Sequence, residues 1–364
     1  MTLLIDNETV GRVLTPAAVR RALEAAYRDL ASGEAVCRPR IDIRIPTRDP
    51  EKFYQWGSME GGSTGGYFAI RMKSDVVYER EYEGVRTREK YCSRPGRYCG
   101  LVFLTDVESG EPLAIVNDGH LQHLRVAADS AIGTDVMARE DCRTLGLLGS
   151  GGMAGSHLEA LLEVRRIERL KVFSPTRAHR ERFAAEVAER HRIECEACDE
   201  PREVYRGADI LAACTDSARP VIRGEWLEAG MHVISIGGRP DDTALSRFDR
   251  TLRLGTAPAP VGRPELATAD EYLGYVARPK DPRWETMGGG APRVTGKGGE
   301  VSFGDVVEGK VRGRSSREQI TYSERGNIQG AQFFAVAAAA YEAARREGLG
   351  RDLPTDWFLQ DIRD

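Results

Sequence analysis

The residues with the clearest chemical purpose are Gly149-Ser150-Gly151-Gly152-Met153-Ala154, a Gly-x-Gly-x-x-Ala run between the apolar segment 145–148 and a helical pattern. In a strand–turn–helix setting, Gly149 permits the tight turn, Gly151 lets backbone approach a pyrophosphate, and Ala154 keeps the helix close to the sheet. The helix start adds unpaired N–H groups and a dipole that favours an anion. The run therefore predicts a dinucleotide site, with Ser150 and Met153 in the same turn and Thr215 and Gly237 at the ends of later strands contributing to it.

Sites for NAD usually carry an acidic residue roughly 20 positions further on, where it binds the ribose hydroxyls. Here that stretch reads Phe173-Ser174-Pro175-Thr176-Arg177-Ala178-His179-Arg180, with no carboxylate before Glu181. Ser174 and Thr176 can hydrogen-bond a 2'-phosphate, and Arg177 or Arg180 can pair with it. The expected cofactor is NADP(H), with NAD(H) also possible.

Other chemistries find less support. Cys195 and Cys198 form one C-x-x-C, but a structural zinc needs a second pair of ligands at similar spacing, and no metal is expected. Seven scattered cysteines fit reduced thiols better than a disulfide framework. A net charge of -4 argues against a nucleic-acid partner, which needs a basic surface. The N-terminus has no signal-like basic and apolar regions, and no segment is apolar enough to span a membrane, so a cytoplasmic location is expected.

The elements that must position these residues follow from periodicity. At 364 residues two domains are expected. Thr15-Pro16 reads as a helix cap, followed by Val19, Leu23, Ala26, Tyr27 and Leu30 at helical spacing. From 40 to 103 short alternating runs predict a β-rich layer, and Ser109-Gly110-Glu111-Pro112 predicts the turn of a hairpin. A helix is expected over 121–137. Beyond Cys142 the rhythm turns to strand, helix, strand, which predicts a parallel sheet of βαβ units with strands near 145–148, 170–173, 210–213, 232–236 and 251–254. The stretch 276–300, with Gly288-Gly289-Gly290 and Gly296-Lys297-Gly298-Gly299, reads as a long irregular loop. An Ala-saturated helix over 332–347 is expected to pack back on the first domain.

Taken together, these segments resemble the ornithine cyclodeaminase and mu-crystallin family, which includes ketimine reductases and one class of alanine dehydrogenases. The resemblance runs through Asp106-Val107-Glu108-Ser109-Gly110-Glu111-Pro112-Leu113-Ala114, through 121–131 around Arg125, through 147–154, through 208–215 and through Gly230-Met231-His232-Val233-Ile234. It implies an α/β fold: a central Rossmann dinucleotide-binding domain plus an α+β substrate and dimerisation domain formed from both chain ends. The implied boundaries are 1–135, 136–322 and 323–364, and the implied assembly is a homodimer.

The resemblance also implies that arginines and a lysine hold the α-carboxylate of an amino or imino acid, a task suited to the bidentate guanidinium. By position these roles fall to Arg40 and Arg125, with Arg38 and Arg44 as competitors for the first. On the strand Arg71-Met72-Lys73, Arg71 aligns with the family lysine, while Lys73 keeps its chemistry on the same strand face. Cyclodeaminases proper carry an aspartate after a Gly-Gly pair; this chain reads Gly237-Gly238-Arg239-Pro240-Asp241-Asp242, which looks closer to the reductases. The implied reaction is hydride transfer between nicotinamide and the α-carbon of an imino or amino acid, with Lys73, or a water held by it or by Asp241, as proton source. The alternatives are a cyclodeaminase using NAD catalytically and a non-catalytic, crystallin-like NADP(H)-binding protein. The stretch 76–97, carrying Lys90, Tyr91, Arg94 and Arg97, is longer than usual for the family and is expected to shape the substrate pocket, as are His120, Gln122 and His123.

Overall fold

A computed structural model of the protein describes residues 1–82, 85–217, 219–284 and 294–362. The chain opens with β1 (Thr2–Ile5), α1 (Asn7–Val13) and α2 (Pro16–Ser32). Thr15 caps α2, its Oγ1 accepting from the Ala18 N–H at 3.2 Å, and Gly33 in the left-handed region ends it. The alternating runs then form β2 (Ala35–Cys37), β3 (Arg40–Pro46), β4 (Lys52–Ser63), β5 (Tyr67–Tyr82), β6 (Val85–Tyr91), β7 (Gly100–Asp106) and β8 (Pro112–Asn117). The turn expected at 109–112 joins β7 and β8 as an antiparallel hairpin.

Helix α3 (Gly119–Met137) leads into the second half of the fold and packs on α2 and on α4 (Gly152–Leu162). Around α4 lie β9 (Thr144–Leu148), β10 (Arg169–Phe173), α5 (Arg177–His191), β11 (Glu194–Ala197), α6 (Pro201–Tyr205), β12 (Ile210–Ala213), β13 (His232–Ser235), α7 (Asp242–Arg247) and β14 (Arg250–Arg253). The chain continues as β15 (Tyr272–Val276), β16 (Glu300–Ser302), α8 (Phe303–Val307), β17 (Thr321–Glu324), α9 (Gln329–Glu347) and β18 (Arg351–Leu353).

Among the described residues these strands make two sheets. The second runs β11-β10-β9-β12-β13-β17-β14-β16 and is parallel throughout. Its order reverses between β9 and β12, the switch point at which open α/β sheets bind ligands. The first runs β15-β3-β4-β5-β7-β8-β1-β18, with β2 on β4 and β6 on β5. Its inner face is covered by α2, α3 and α9 around a core that includes Leu23, Leu104, Leu121, Ile132, Phe333 and Ala337.

Two features depart from the sequence expectations. Tyr272–Val276 falls within the range expected for the central domain, yet it pairs in parallel with β3 at the edge of the first sheet. The stretch 276–300 also carries structure at its ends. Arg283 bonds the carbonyls of Thr47, Asp49 and Lys52, Trp284 packs edge-on against Phe53, and β16 begins at Glu300. Its Gly288-Gly289-Gly290 run lies outside the described residues. No described helix is long and apolar enough to cross a membrane. Burial pushes the Cys195 and Cys198 thiols up to about 11, opposite to the activation of a redox pair.

Candidate active site

The nucleotide end of the site is fixed by backbone geometry. Gly149 has φ 119°, and a Cβ there would collide with the Cys214 carbonyl, so the turn between β9 and α4 admits no side chain. Gly151, by contrast, faces open space. It precedes α4, which has no side-chain cap, leaving N–H groups of its first turn for an anion. Ser150 Oγ lies 2.8 Å from Ser174 Oγ, tying the turn to the end of β10. Thr215 follows β12, and Gly237 packs on its carbonyl at the end of β13. This cradle fits a dinucleotide pyrophosphate.

Of the two arginines expected near a 2'-phosphate, the structure leaves one. Arg180 is buried and folded back, donating to the carbonyls of Ser174 (3.0 Å) and Pro175 and pairing with Asp199 at 2.9 Å. Arg177 is exposed at the start of α5 and pairs with Glu181 across one turn.

The other end of the site is a row across the first sheet. The register sets Asp42 of β3 opposite Gly57 of β4, Gly57 opposite Lys73 of β5, and Lys73 opposite Gly100 of β7. Directly paired residues share a face, so Arg40, Arg44, Gln55, Arg71 and Asp75 join this row two positions to either side. The two glycines make room. A methyl on Gly57 would fall 2.6 Å from Lys73 Cε, and one on Gly100 would collide with the Asp118 carboxylate.

The cations here are paired to different degrees. Arg40 grips Asp42 through Nε at 2.7 Å and Nη2 at 2.8 Å, and Arg40 and Arg44 both lie over the Tyr272 ring supplied by β15. Arg71 donates through Nε (2.7 Å) and Nη2 to one oxygen of Asp118. Lys73 Nζ is 3.2 Å from Asp75, and burial, together with the charges of Arg40 and Lys90, holds its ammonium down to about 7. Arg125 is 3% exposed and touches neutral acceptors: Gln122 Oε1 at 2.8 Å from Nη2, and Gln332 Oε1. Burial and the charge of Arg325 lower it to about 9. Arg71 and Arg125 flank the Phe333 ring, at 5.1 and 4.7 Å from its centroid.

A match to the ornithine cyclodeaminase/mu-crystallin family covers residues 78–347. The chain belongs to that family. A Delta(1)-pyrroline-2-carboxylate reductase of Bacillus cereus is 28% identical over 255 residues, 70% of this chain and 74% of that protein. The solved Thermococcus litoralis Delta(1)-pyrroline-2-carboxylate reductase, in complex with NADH and L-proline, superposes with a TM-score of 0.71 at 21% identity, covering 97% of this chain and all of that one. An archaeal alanine dehydrogenase dimer with bound NAD gives 0.72 at 22% identity, covering 97% and 99%. At these identities the two solved structures speak for the fold.

Within the family site, some residues singled out in the sequence stand elsewhere. Asp241, expected to hold a proton-donating water, caps α7 instead with one oxygen, its Oδ1 accepting from the N–H groups of Ala244 (2.8 Å) and Gly224 (3.0 Å). Arg38 pairs with Ser58 and Glu60 on the opposite face of the sheet, leaving Arg40 and Arg44 on the site face. His123 lies against Gly152 in the nucleotide turn, and His120 against Gly11. The hairpin β5–β6 crosses the cleft: Thr87 bridges to Ser217 in the loop after β12.

Sequence reasoning missed the acidic and amide partners. Asp42 and Asp75 had a signal, because each lies two positions along a strand from a selected cation and therefore on its face. Gln332 was visible as a polar residue inside an Ala-rich helix. Asp118, Tyr272 and Arg325 carried none, since only tertiary contact brings them to the site.

Proposed function

We propose that the protein is an NAD(P)-dependent oxidoreductase that moves a hydride to or from the α-carbon of a small imino or amino acid. The observation that carries this reading is Arg125: a buried guanidinium that hydrogen-bonds only amide oxygens among the described residues, in the same site as Arg71 and a lysine whose proton affinity is tuned near neutrality. A buried cation without a contacting carboxylate is costly unless an anion completes it. The α-carboxylate of the substrate supplies that anion, gripped by Arg125 and by the Nη1 side of Arg71, which Asp118 leaves free.

Nicotinamide dinucleotide, when bound, supplies or takes up the hydride. The protein's part is orientation and proton handling. The carboxylate clamp fixes the C=N carbon, converting an encounter into a positioned reaction. Lys73 Nζ gives its proton to the imine nitrogen, which makes that carbon electrophilic, and takes it back in the reverse direction. Asp75 holds the ammonium in place.

The test is a screen of cyclic imino acids, and of 2-oxo acids with ammonia or methylamine, followed as reduced-nucleotide consumption. Turnover of at least one such substrate is expected. Its complete absence, alongside normal nucleotide binding, would return the protein to a non-catalytic binding role.

Three finer readings accompany this one. The cofactor preference is for NADP(H), supported by Ser174, Thr176 and the exposed Arg177 after β10. Arg177→Ala should cut the NADPH to NADH ratio of kcat/KM by about tenfold; an unchanged ratio removes the assignment. The assembly is a homodimer, supported by the apolar outer face of the first sheet, where Ile43, Ile45, Ile70, Leu273 and Tyr275 are exposed. The working location is the cytoplasm, in keeping with seven free, scattered cysteines.

A further inference from the structure

Arg125 is held by a chain of hydrogen bonds in which every donor and acceptor has one permitted role. Tyr27 of α2 donates its hydroxyl proton to Asp129 Oδ1 on α3. Gln332 of α9 donates from Nε2 to Asp129 Oδ2 at 2.8 Å and to Tyr27 Oη at 2.9 Å. Both amide hydrogens are thereby committed, so Oε1 turns toward Arg125 and accepts from Nη1. The reversed amide would set its NH2 against the N–H groups of Arg125 and its carbonyl against a carboxylate, two repulsions in one move. Tyr27, Asp129, Gln332 and Arg125 are all buried, and they come from three helices.

The relay also separates charges. Asp129 is the counter-charge to Arg125, yet it lies one side chain away, with a neutral amide between them. Among the described residues no carboxylate stands within 4.0 Å of the Arg125 guanidinium, unlike Arg71 with Asp118 or Arg40 with Asp42. A carboxylate at position 332 could accept from Arg125 in the same place and would cancel its charge, but it could not make the two donations to Asp129 and Tyr27.

We propose that Gln332, Asp129 and Tyr27 are positioning residues that orient Arg125 while leaving its charge unneutralised at the contact where a substrate carboxylate binds. This rests on the reading of Arg125 as the carboxylate ligand. It deepens that reading by assigning the affinity to where the balancing negative charge is placed, as well as to the arginine itself.

The decisive experiment exchanges the two groups. In the double variant Asp129→Asn/Gln332→Glu the new amide donates to the new carboxylate, which touches Arg125, so total charge is kept and the negative charge moves one step, while the bond from position 332 to Tyr27 Oη is lost because a carboxylate cannot donate. Expected are a nucleotide Kd close to the parent's and a Tm lowered by no more than the loss of one buried hydrogen bond. The KM for the imino acid, and the Kd of cofactor-loaded protein for the unreducible probe pyrrole-2-carboxylate, should rise at least about tenfold, with kcat changed far less. Asp129→Asn alone, whose new NH2 faces either the Tyr27 hydroxyl proton or the Gln332 amide, should lower Tm more than the exchange does, and the exchange should recover Tm without recovering parent-like carboxylate affinity. A double variant with parent-like KM and Kd overturns the proposal. If the double variant does not fold, Tyr27→Phe, remote from Arg125, should still raise the probe Kd by about threefold, and an unchanged Kd overturns the proposal as well. A parent that binds the probe without turning over any imino acid defeats the reaction but leaves the positioning result readable through Kd. A parent that does not bind the probe overturns both.

Discussion

Lys73 stands among charges that pull its proton in opposite directions: burial, Arg40 and Lys90 weaken its hold, while Asp75 and Asp42 strengthen it. With the ammonium at about 7, imine reduction needs the protonated form, so kcat/KM in that direction should fall about tenfold per pH unit above about 7. A pH profile checks this, and Lys73→Met should abolish that limb. The sign for stability is that of a paired carboxylate and the reverse of an ordinary paired lysine. Because the folded-state value lies below the ordinary 10.5 of a lysine, the fold is most stable at high pH, where Lys73 is neutral, and that stability is lost as pH falls from about 10.5 to about 7. Lys73→Met should therefore stabilise the fold more at pH 6 than at pH 9 in denaturant titrations. Arg125→Ala should raise KM for the carboxylate substrate by about a hundredfold and alter kcat less, as expected when a buried partner of an anion is removed. At this scale the cations were legible, since the family resemblance points by position to Arg71 and Arg125, and strand parity adds Lys73. Their counterpart Asp118 was not, because its pairing with Arg71 is set by tertiary contact, and Gln332 stood out only as a polar residue in an Ala-rich helix with no sign of its partner.

β4 shows how an element creates room for chemistry without supplying a functional group. Gly57 sits between Asp42 and Lys73 in the cross-strand row, and its missing side chain is the space into which Lys73 extends. Gly57→Ala should displace Lys73 and Asp42, lower kcat strongly, leave nucleotide affinity unchanged, and cost about 1–3 kcal/mol of stability through overpacking. Activity, nucleotide titration and urea unfolding separate these effects. Most elements were readable from alternation and helical spacing, including the capped α2, the β7–β8 hairpin and the βαβ rhythm after Cys142. The exception is β15. Nothing in Tyr272-Leu273-Gly274-Tyr275-Val276 names its sheet, and its partner β3 belongs to the opposite end of the chain. That pairing matters to the site, because it places the Tyr272 ring under Arg40 and Arg44.

At the scale of the whole molecule, the first sheet turns inward the face that carries both the hydrophobic core and the charged row, and turns an apolar face outward. Ile43 (40% exposed), Ile45 (44%) and Tyr275 (57%) are uncovered on that outer face. Ile43→Asp should convert a dimer to monomer in sedimentation velocity while leaving nucleotide binding in place; a parent that sediments as a monomer would end the dimer reading. The path of the chain between the sheets has a mechanical meaning as well. It passes from one to the other after β8, after β14, after β15 and after β17. A pair of bodies sewn together by several separate threads cannot swing apart like a book on a single spine. Twisting one against the other would have to strip β15 from β3 or tear the Arg283 clasp from the β3–β4 turn. The β5–β6 hairpin adds one more tie, since Thr87 bridges to Ser217 beyond β12, and the charged row and the nucleotide turn are held to each other by strands, crossings and this bridge together.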